Sequence, residues 1–174
     1  WNFVWHLGIV LCVGTQEERS VFYSLDSIGC APVICYESVF GGFTTDYFKQ
    51  KTDFIGIVTN DGWWRNTQGH KQHFEYARLR AIENGTYVAR SANTGISGFI
   101  DRNGNVLKTL EWDKKGVLIE QIGFAQQKTF YTKYGDYLGR IFSFVAVMFL
   151  VSIFAKKLNK SKLWFSQWQA LVSR

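Results

Sequence analysis

The residue type and setting most suited to chemistry is the thiol of Cys35. It lies in a short apolar, β-rich run at 31–36, APVICY, followed by Glu37 and a helix-like SVFGGF stretch. A nucleophile where a strand turns into a helix is exposed on a sharp bend. Backbone N–H groups at the start of such a turn can stabilise both a thiolate and an oxyanion. Glu37, two residues on, is close enough to orient a partner or shape a pocket. By itself this Cys-Tyr-Glu triplet is a weak signal, because a lone cysteine often serves as a small buried hydrophobe. The other two cysteines, Cys12 and Cys30, form no CxxC pair and no zinc pattern with the histidines, and an odd number leaves at least one thiol free.

Other candidates carry less. His70 and His73, in HKQH, have the i, i+3 spacing of a metal pair, but no carboxylate or cysteine completes a site, and neither metal nor cofactor is expected. Arg78, Arg80 and Glu83 read as a solvated helix face or as structural ion pairs. Asn93-Thr94-Gly95 reads as a turn between two strands, with its strand end near the nucleophile.

The elements that must position these residues alternate. Residues 53–59, DFIGIVT, read as a second strand, closed by the turn residues Asn60-Asp61-Gly62. Residues 70–85 read as a helix stopped by Gly85. TYVARSAN and GISGFID give two strands. Asp101-Arg102-Asn103-Gly104 turns into VLKTLEW, which pairs as a hairpin. Residues 116–122, GVLIEQI, supply a last strand. Strand, helix and several further strands predict an α/β layered sheet.

The chain of 174 residues suffices for one ordinary domain, and its single proline argues against a long linker. Aromatic residues make up 17% of it, a share that points to lipid headgroups or a deep pocket. Five of the six surplus positive charges lie in the last nineteen residues, at Lys156, Lys157, Lys160, Lys162 and Arg174. The rest is near neutral, so no nucleic-acid partner is expected. Just before that basic tail, 141–155 is apolar throughout apart from two serines. Fifteen helical residues reach about 22 Å. Tyr137, Leu138 and the lysine stems extend that toward a hydrocarbon core of roughly 30 Å. The positive-inside rule makes the lysine end cytoplasmic and leaves the domain before Tyr137 on the outer side of the membrane. In the tail, Trp164, Trp168 and Leu171 fall at helical spacing and suit an interfacial helix.

In combination the motifs are specific. APVICYESVFGG, TNDGWW, QHFEYARLRAIENG and RSANTGISGFIDRNG, in this order and at these intervals, closely resemble the nitrilase-like domain of apolipoprotein N-acyltransferases. The resemblance covers roughly 15–112, and the apolar run at 141–155 resembles the last transmembrane helix of that family. It implies an αββα sandwich in which a Glu–Lys–Cys set transfers a fatty acyl chain. The donor is a membrane phospholipid and the acceptor is the N-terminal diacylglyceryl-cysteine of an apolipoprotein. The setting is the bacterial inner membrane, with the catalytic domain periplasmic. The nucleophile motif falls on Cys35, and Tyr36 and Glu37 match pocket residues beside it. His73 would pack or hydrogen-bond near the pocket, and Trp63 and Trp64 would line an acyl-chain pocket or cover the core.

The expected organisation is therefore an unassigned apolar edge at 1–14, the nitrilase-like domain at 15–125, a transmembrane helix at 137–157 and a basic, aromatic tail at 158–174. The departures matter as well. In the family the general-base Glu and the oxyanion-stabilising Lys lie well upstream of the nucleophile, whereas only thirty-four residues precede Cys35 and the first lysine is Lys49. Glu17 and Glu18 stand too close to the nucleophile strand to be that base. The chain is thus expected to be a C-terminal fragment, inactive alone. A membrane-anchored nitrilase-type amidohydrolase, giving the acyl group to water, and a non-catalytic anchored remnant are the alternatives.

Overall fold

The computed structural model describes residues 18–124 and 128–172. The apolar edge at 1–14, with Cys12, and Glu17 lie outside the described residues, as do the side chains of the tail from 158 on. The chain divides into two compact units, Trp1–Lys133 and Tyr134–Arg174.

The first unit is built on a six-stranded mixed sheet in the order β1-β2-β3-β4-β5-β6. Its strands are β1 (Phe22–Tyr23), β2 (Gly29–Ile34), β3 (Phe54–Thr59), β4 (Tyr87–Ala92), β5 (Ser97–Ile100) and β6 (Val106–Leu110). The central pairs β2–β3 and β3–β4 are parallel, and the outer pairs are antiparallel. Parallel neighbours need crossovers, which pack helices on the sheet. One crossover carries α1 (Gly41–Asp46) and the other α2 (Gln68–Asn84). Period-2 alternation then sends Ala31, Val33, Ile55, Ile57, Val88 and Ile100 to the helix side, where Phe74, Ala77 and Ala81 of α2 meet them in one buried core.

Helix α2 starts where the Thr67 hydroxyl accepts from the Gly69 N–H at 3.3 Å. It ends at Gly85, whose φ of 61° is the left-handed cap conformation that glycine adopts without a Cβ penalty. Its buried stripe mixes apolar residues with His70, His73, Arg80 and Asn84.

The sequence-based strands at 53–59, TYVARSAN and GISGFID and the hairpin into VLKTLEW form as expected, and β2 stops one residue short of Cys35. The expected strand at 116–122 does not form. The outer edge of β6 stays without a ladder, and the segment is tied by its side of one lysine instead: Lys108 Nζ donates to the Ile119 carbonyl at 2.8 Å and pairs with Glu120. Val117 and Ile119 are left exposed. The helix-like SVFGGF stretch divides into a 3-10 turn, Cys35–Val39, and α1.

The second unit carries one long helix, α3, Tyr137–Val172. Tyr137–Lys157 is long and apolar enough to cross a membrane, twenty-one residues or about 32 Å of helix. Every apolar side chain from Ile141 to Phe154 among its large hydrophobics is exposed in the unit. The helical backbone continues past Lys156 and Lys157 to Val172 without a break, rather than restarting as a separate tail helix.

Candidate active site

Three parallel strands deliver three turns to one end of the sheet: Cys35 follows β2, Asp61 follows β3, and Asn93-Thr94-Gly95 follows β4. The carboxyl ends of parallel strands are where open α/β sheets place their sites. Cys35 is half-buried and holds φ at 51°, a left-handed conformation that costs a residue with a Cβ about 1–2 kcal/mol. Such a bend persists only where its surroundings enforce it. Three contacts do so. The Glu37 carboxylate accepts from the Ile34 N–H at 2.8 Å. The Ser38 hydroxyl donates to the Cys35 carbonyl at 2.8 Å. His73 Nε2 lies 3.2 Å from the same carbonyl and 3.0 Å from Ser38 Oγ.

Behind His73 lies a fully buried ion network. His73 Nδ1 is 2.8 Å from Asp61 Oδ1, and Arg90 Nη2 reaches Asp61 Oδ2. Thr59 Oγ1 donates to Asp61 Oδ1 at 3.0 Å, and Arg90 Nε donates to the Ile96 carbonyl at 3.0 Å. Burial alone would push the Asp61 carboxyl up. The hydrogen bond to His73 and the Arg90 charge outweigh it and hold that carboxyl below the usual range. Burial likewise draws the Arg90 guanidinium down, offset in part by Asp61 and by Cys35. Gly95 closes over the carboxylate, for a Cβ there would stand 2.3 Å from Asp61 Oδ2.

Aromatic rings cover the outer side. Tyr36 packs 6.0 Å from His73 and 6.3 Å from Trp64, and Trp64 sits edge-on to His73 at 5.1 Å. Tyr36, Phe40 and Trp63 remain exposed.

The structure therefore brings Cys35, Tyr36, Glu37, Trp64 and His73 together, with Trp63 on the solvent side of the same turn. Glu37 stays beside Cys35, where one of its oxygens caps the turn that carries the thiol. His70 is directed elsewhere, with Nδ1 3.2 Å from the Arg65 carbonyl and its ring against Trp112. Among the described residues no cluster of histidine, cysteine and carboxylate is placed to hold a metal. Arg78 pairs with Glu75 on the solvated side of α2, while Arg80 and Glu83 form a structural ion pair, one of the two expected roles. Arg80 is buried and also donates to the Val39 carbonyl at 3.1 Å, at the end of the turn that begins at Cys35.

Sequence reasoning missed Ser38, Asp61 and Arg90. Arg90 carried a usable signal, because its place in β4 puts it on the same face as buried Val88, and a buried arginine requires an anion. Asp61 was masked by its turn-forming neighbours Asn60 and Gly62.

A hollow of about 430 Å³ lies on the other face of the sheet, over Pro32, Gly56, Val58, Ala89, Phe99 and Leu118, and does not include Cys35.

The profile of the carbon-nitrogen hydrolase family matches residues 12–130. An apolipoprotein N-acyltransferase of Chlorobaculum tepidum is 36% identical over 147 residues, 83% of this chain and 28% of that protein. One of Agrobacterium fabrum is 38% identical over 124 residues, 71% of this chain and 23% of that protein. The chain thus spans about a quarter of the length of these relatives. Among solved structures, a carbon-nitrogen hydrolase from Helicobacter pylori superposes with a TM-score of 0.52 at 12% identity, covering 65% of this chain and 44% of that one, a likeness of fold.

Proposed function

The chain belongs to the carbon-nitrogen hydrolase family, and from that premise we propose that it serves acyl transfer from a membrane phospholipid to an apolipoprotein, with Cys35 as the nucleophile. In this reading the Cys35 thiolate attacks the ester carbonyl of the donor. A C–S bond forms, and the lysophospholipid leaves with its alkoxide protonated. The α-amino group of the acceptor's diacylglyceryl-cysteine then attacks the thioester. The amide forms, the thiolate returns, and the amine's proton is taken by a base. Such a two-step transfer is ping-pong. Tyr36, Trp63 and Trp64 offer apolar surface for the acyl chain beside the thiol. Glu37 and His73 hold the turn that presents it.

The observation that carries this reading, over an amidohydrolase of the same family, is the helix Tyr137–Lys157. A chain that crosses the bilayer shares it with its acyl donor, which an enzyme acting on small soluble amides does not need. Lys156 and Lys157 at the helix end orient the C-terminus to the cytoplasm and the sheet domain to the periplasm of an inner membrane. The general base and oxyanion-binding lysine that the family resemblance implies are not supplied by Lys49, which pairs with Asp46 in solvent.

The test fuses the chain behind the upstream part of the Agrobacterium fabrum relative, which would supply the Glu and Lys, and places the fusion in phospholipid vesicles with a peptide bearing an N-terminal S-diacylglyceryl cysteine. Acyl transfer adds one acyl mass to the peptide amine. With the peptide withheld, a hydroxylamine-labile acyl adduct builds on Cys35 and is absent from Cys35→Ala. Free fatty acid without peptide acylation would point to the hydrolase. No adduct at Cys35 in the folded fusion would refute the nucleophile assignment and leave this chain as a non-catalytic anchored module.

A further inference from the structure

We propose that Arg90, Asp61 and His73 form a buried hydrogen-bonded chain that fixes the Cys35 carbonyl, with His73 as the positioning residue that holds the nucleophile in its left-handed conformation. The inference rests on the assignment of Cys35 as the nucleophile.

The hydrogen-bond inventory carries the argument. His73 Nδ1 faces Asp61 Oδ1, and an ionised carboxylate can only accept. His73 Nε2 faces the Cys35 carbonyl, which also can only accept. Its other neighbour, Ser38 Oγ, stands 3.0 Å from Nε2 and 2.8 Å from that same carbonyl, so the ring reaches Cys35 both directly and through the serine hydroxyl.

Behind the ring, one carboxylate lies between His73 on Oδ1 and Arg90 on Oδ2, and Arg90 Nη2 approaches His73 Nδ1 to 3.4 Å. Arg90 Nη1 finds no acceptor among the described residues. The charged or titratable groups facing His73 are Asp61 from the turn after β3, Arg90 from β4, and Cys35 and Tyr36 from the nucleophile turn. Steric evidence is independent of the hydrogen bonds. Gly95 leaves no room for a Cβ over Asp61, so the turn after β4 holds the carboxylate in place.

A clamp on the carbonyl fixes the backbone around Cys35, and hence the register between its sulfur and the N–H groups of the turn. It should matter for acylation, which needs both, and not for simple alkylation, which needs only the thiolate. The experiment therefore compares two probes on the whole chain. One is iodoacetamide. The other is p-nitrophenyl butyrate, where the thiolate takes the butyryl group and p-nitrophenolate leaves. His73→Ala should lower Cys35 acylation about tenfold, the change that roughly 1.4 kcal/mol of released left-handed strain corresponds to, with alkylation within about twofold. His73→Gln, which restores one donor, should recover part of the loss. Ser38→Ala, a mild change that leaves His73 in place, should show a smaller loss of the same kind and keeps the test open if His73→Ala does not fold.

Equal loss of both reactions in a folded variant overturns the inference, as does an unchanged acylation rate or a parent chain that alkylates but does not acylate. Failure of phospholipid as donor with this pattern intact would instead refute the acyl-donor assignment and leave the clamp standing.

Discussion

Asp61→Asn is the sharpest perturbation of the site, because it keeps the shape of the side chain and removes its charge. In the folded protein both Asp61 oxygens are occupied, by His73 and Thr59 on one side and Arg90 on the other, and neither Asp61 nor Arg90 exposes side-chain surface. An amide in its place can satisfy one side, but must point an NH₂ at a donor on the other. It also leaves the Arg90 guanidinium buried without its counter-ion. Breaking one member of a buried pair costs about 3–5 kcal/mol, far more than an exposed pair returns. Urea unfolding should therefore show the midpoint falling with an unchanged slope. The pH dependence gives a second check. The folded Asp61 carboxyl ionises below its unfolded value, about 3.9. Its contribution is complete above that value and is lost as pH falls through the folded one. The parent chain should lose stability below about pH 4, and the variant should show a shallower loss in that window. A cost under about 1 kcal/mol with unchanged acid dependence would mean that Asp61 does not hold the network.

Further outcomes follow from other features. Gly95→Ala would drive a Cβ into the Asp61 carboxylate, with an expected cost of about 1–3 kcal/mol and a drop in Cys35 acylation; thermal melts at the parent's stability would show that the turn yields freely. Burial pushes the Cys30 thiol up, so iodoacetamide at pH 8 should label Cys35 first by peptide mass spectrometry, and the reverse order would contradict the exposure of the nucleophile turn. Val147→Lys places a charge mid-way along the apolar helix and should oppose insertion by about 2.5–3.5 kcal/mol in a translocon insertion assay. Undiminished insertion would count against a membrane-spanning role for that helix.

The sheet was legible where local signals and tertiary need coincide. The apolar runs that became β2, β3, β4 and β5, the Gly85 stop of α2 and the Asp101-Asn103-Gly104 turn each announce themselves within a few residues. The strand expected at 116–122 does not form even beside the open edge of β6, because alternation states which face a strand would bury, not whether its backbone pairs. That Tyr36, Glu37 and His73 gather round Cys35 was legible through the order of motifs. Ser38, Asp61 and Arg90 escaped because each has an ordinary local explanation. Only the parallel register of β2, β3 and β4 brings them under Cys35.

That register also sets an order in time. Arg90 follows Cys35 by fifty-five residues and belongs to the last of the parallel strands, so the anion that seats His73 cannot be neutralised on both sides until that strand is made. At 5–20 residues per second the ribosome opens a gap of roughly three to ten seconds between them. Throughout that gap the left-handed turn at Cys35 lacks the buried pair behind His73, so this corner of the sheet takes its final form only once β4 is in place.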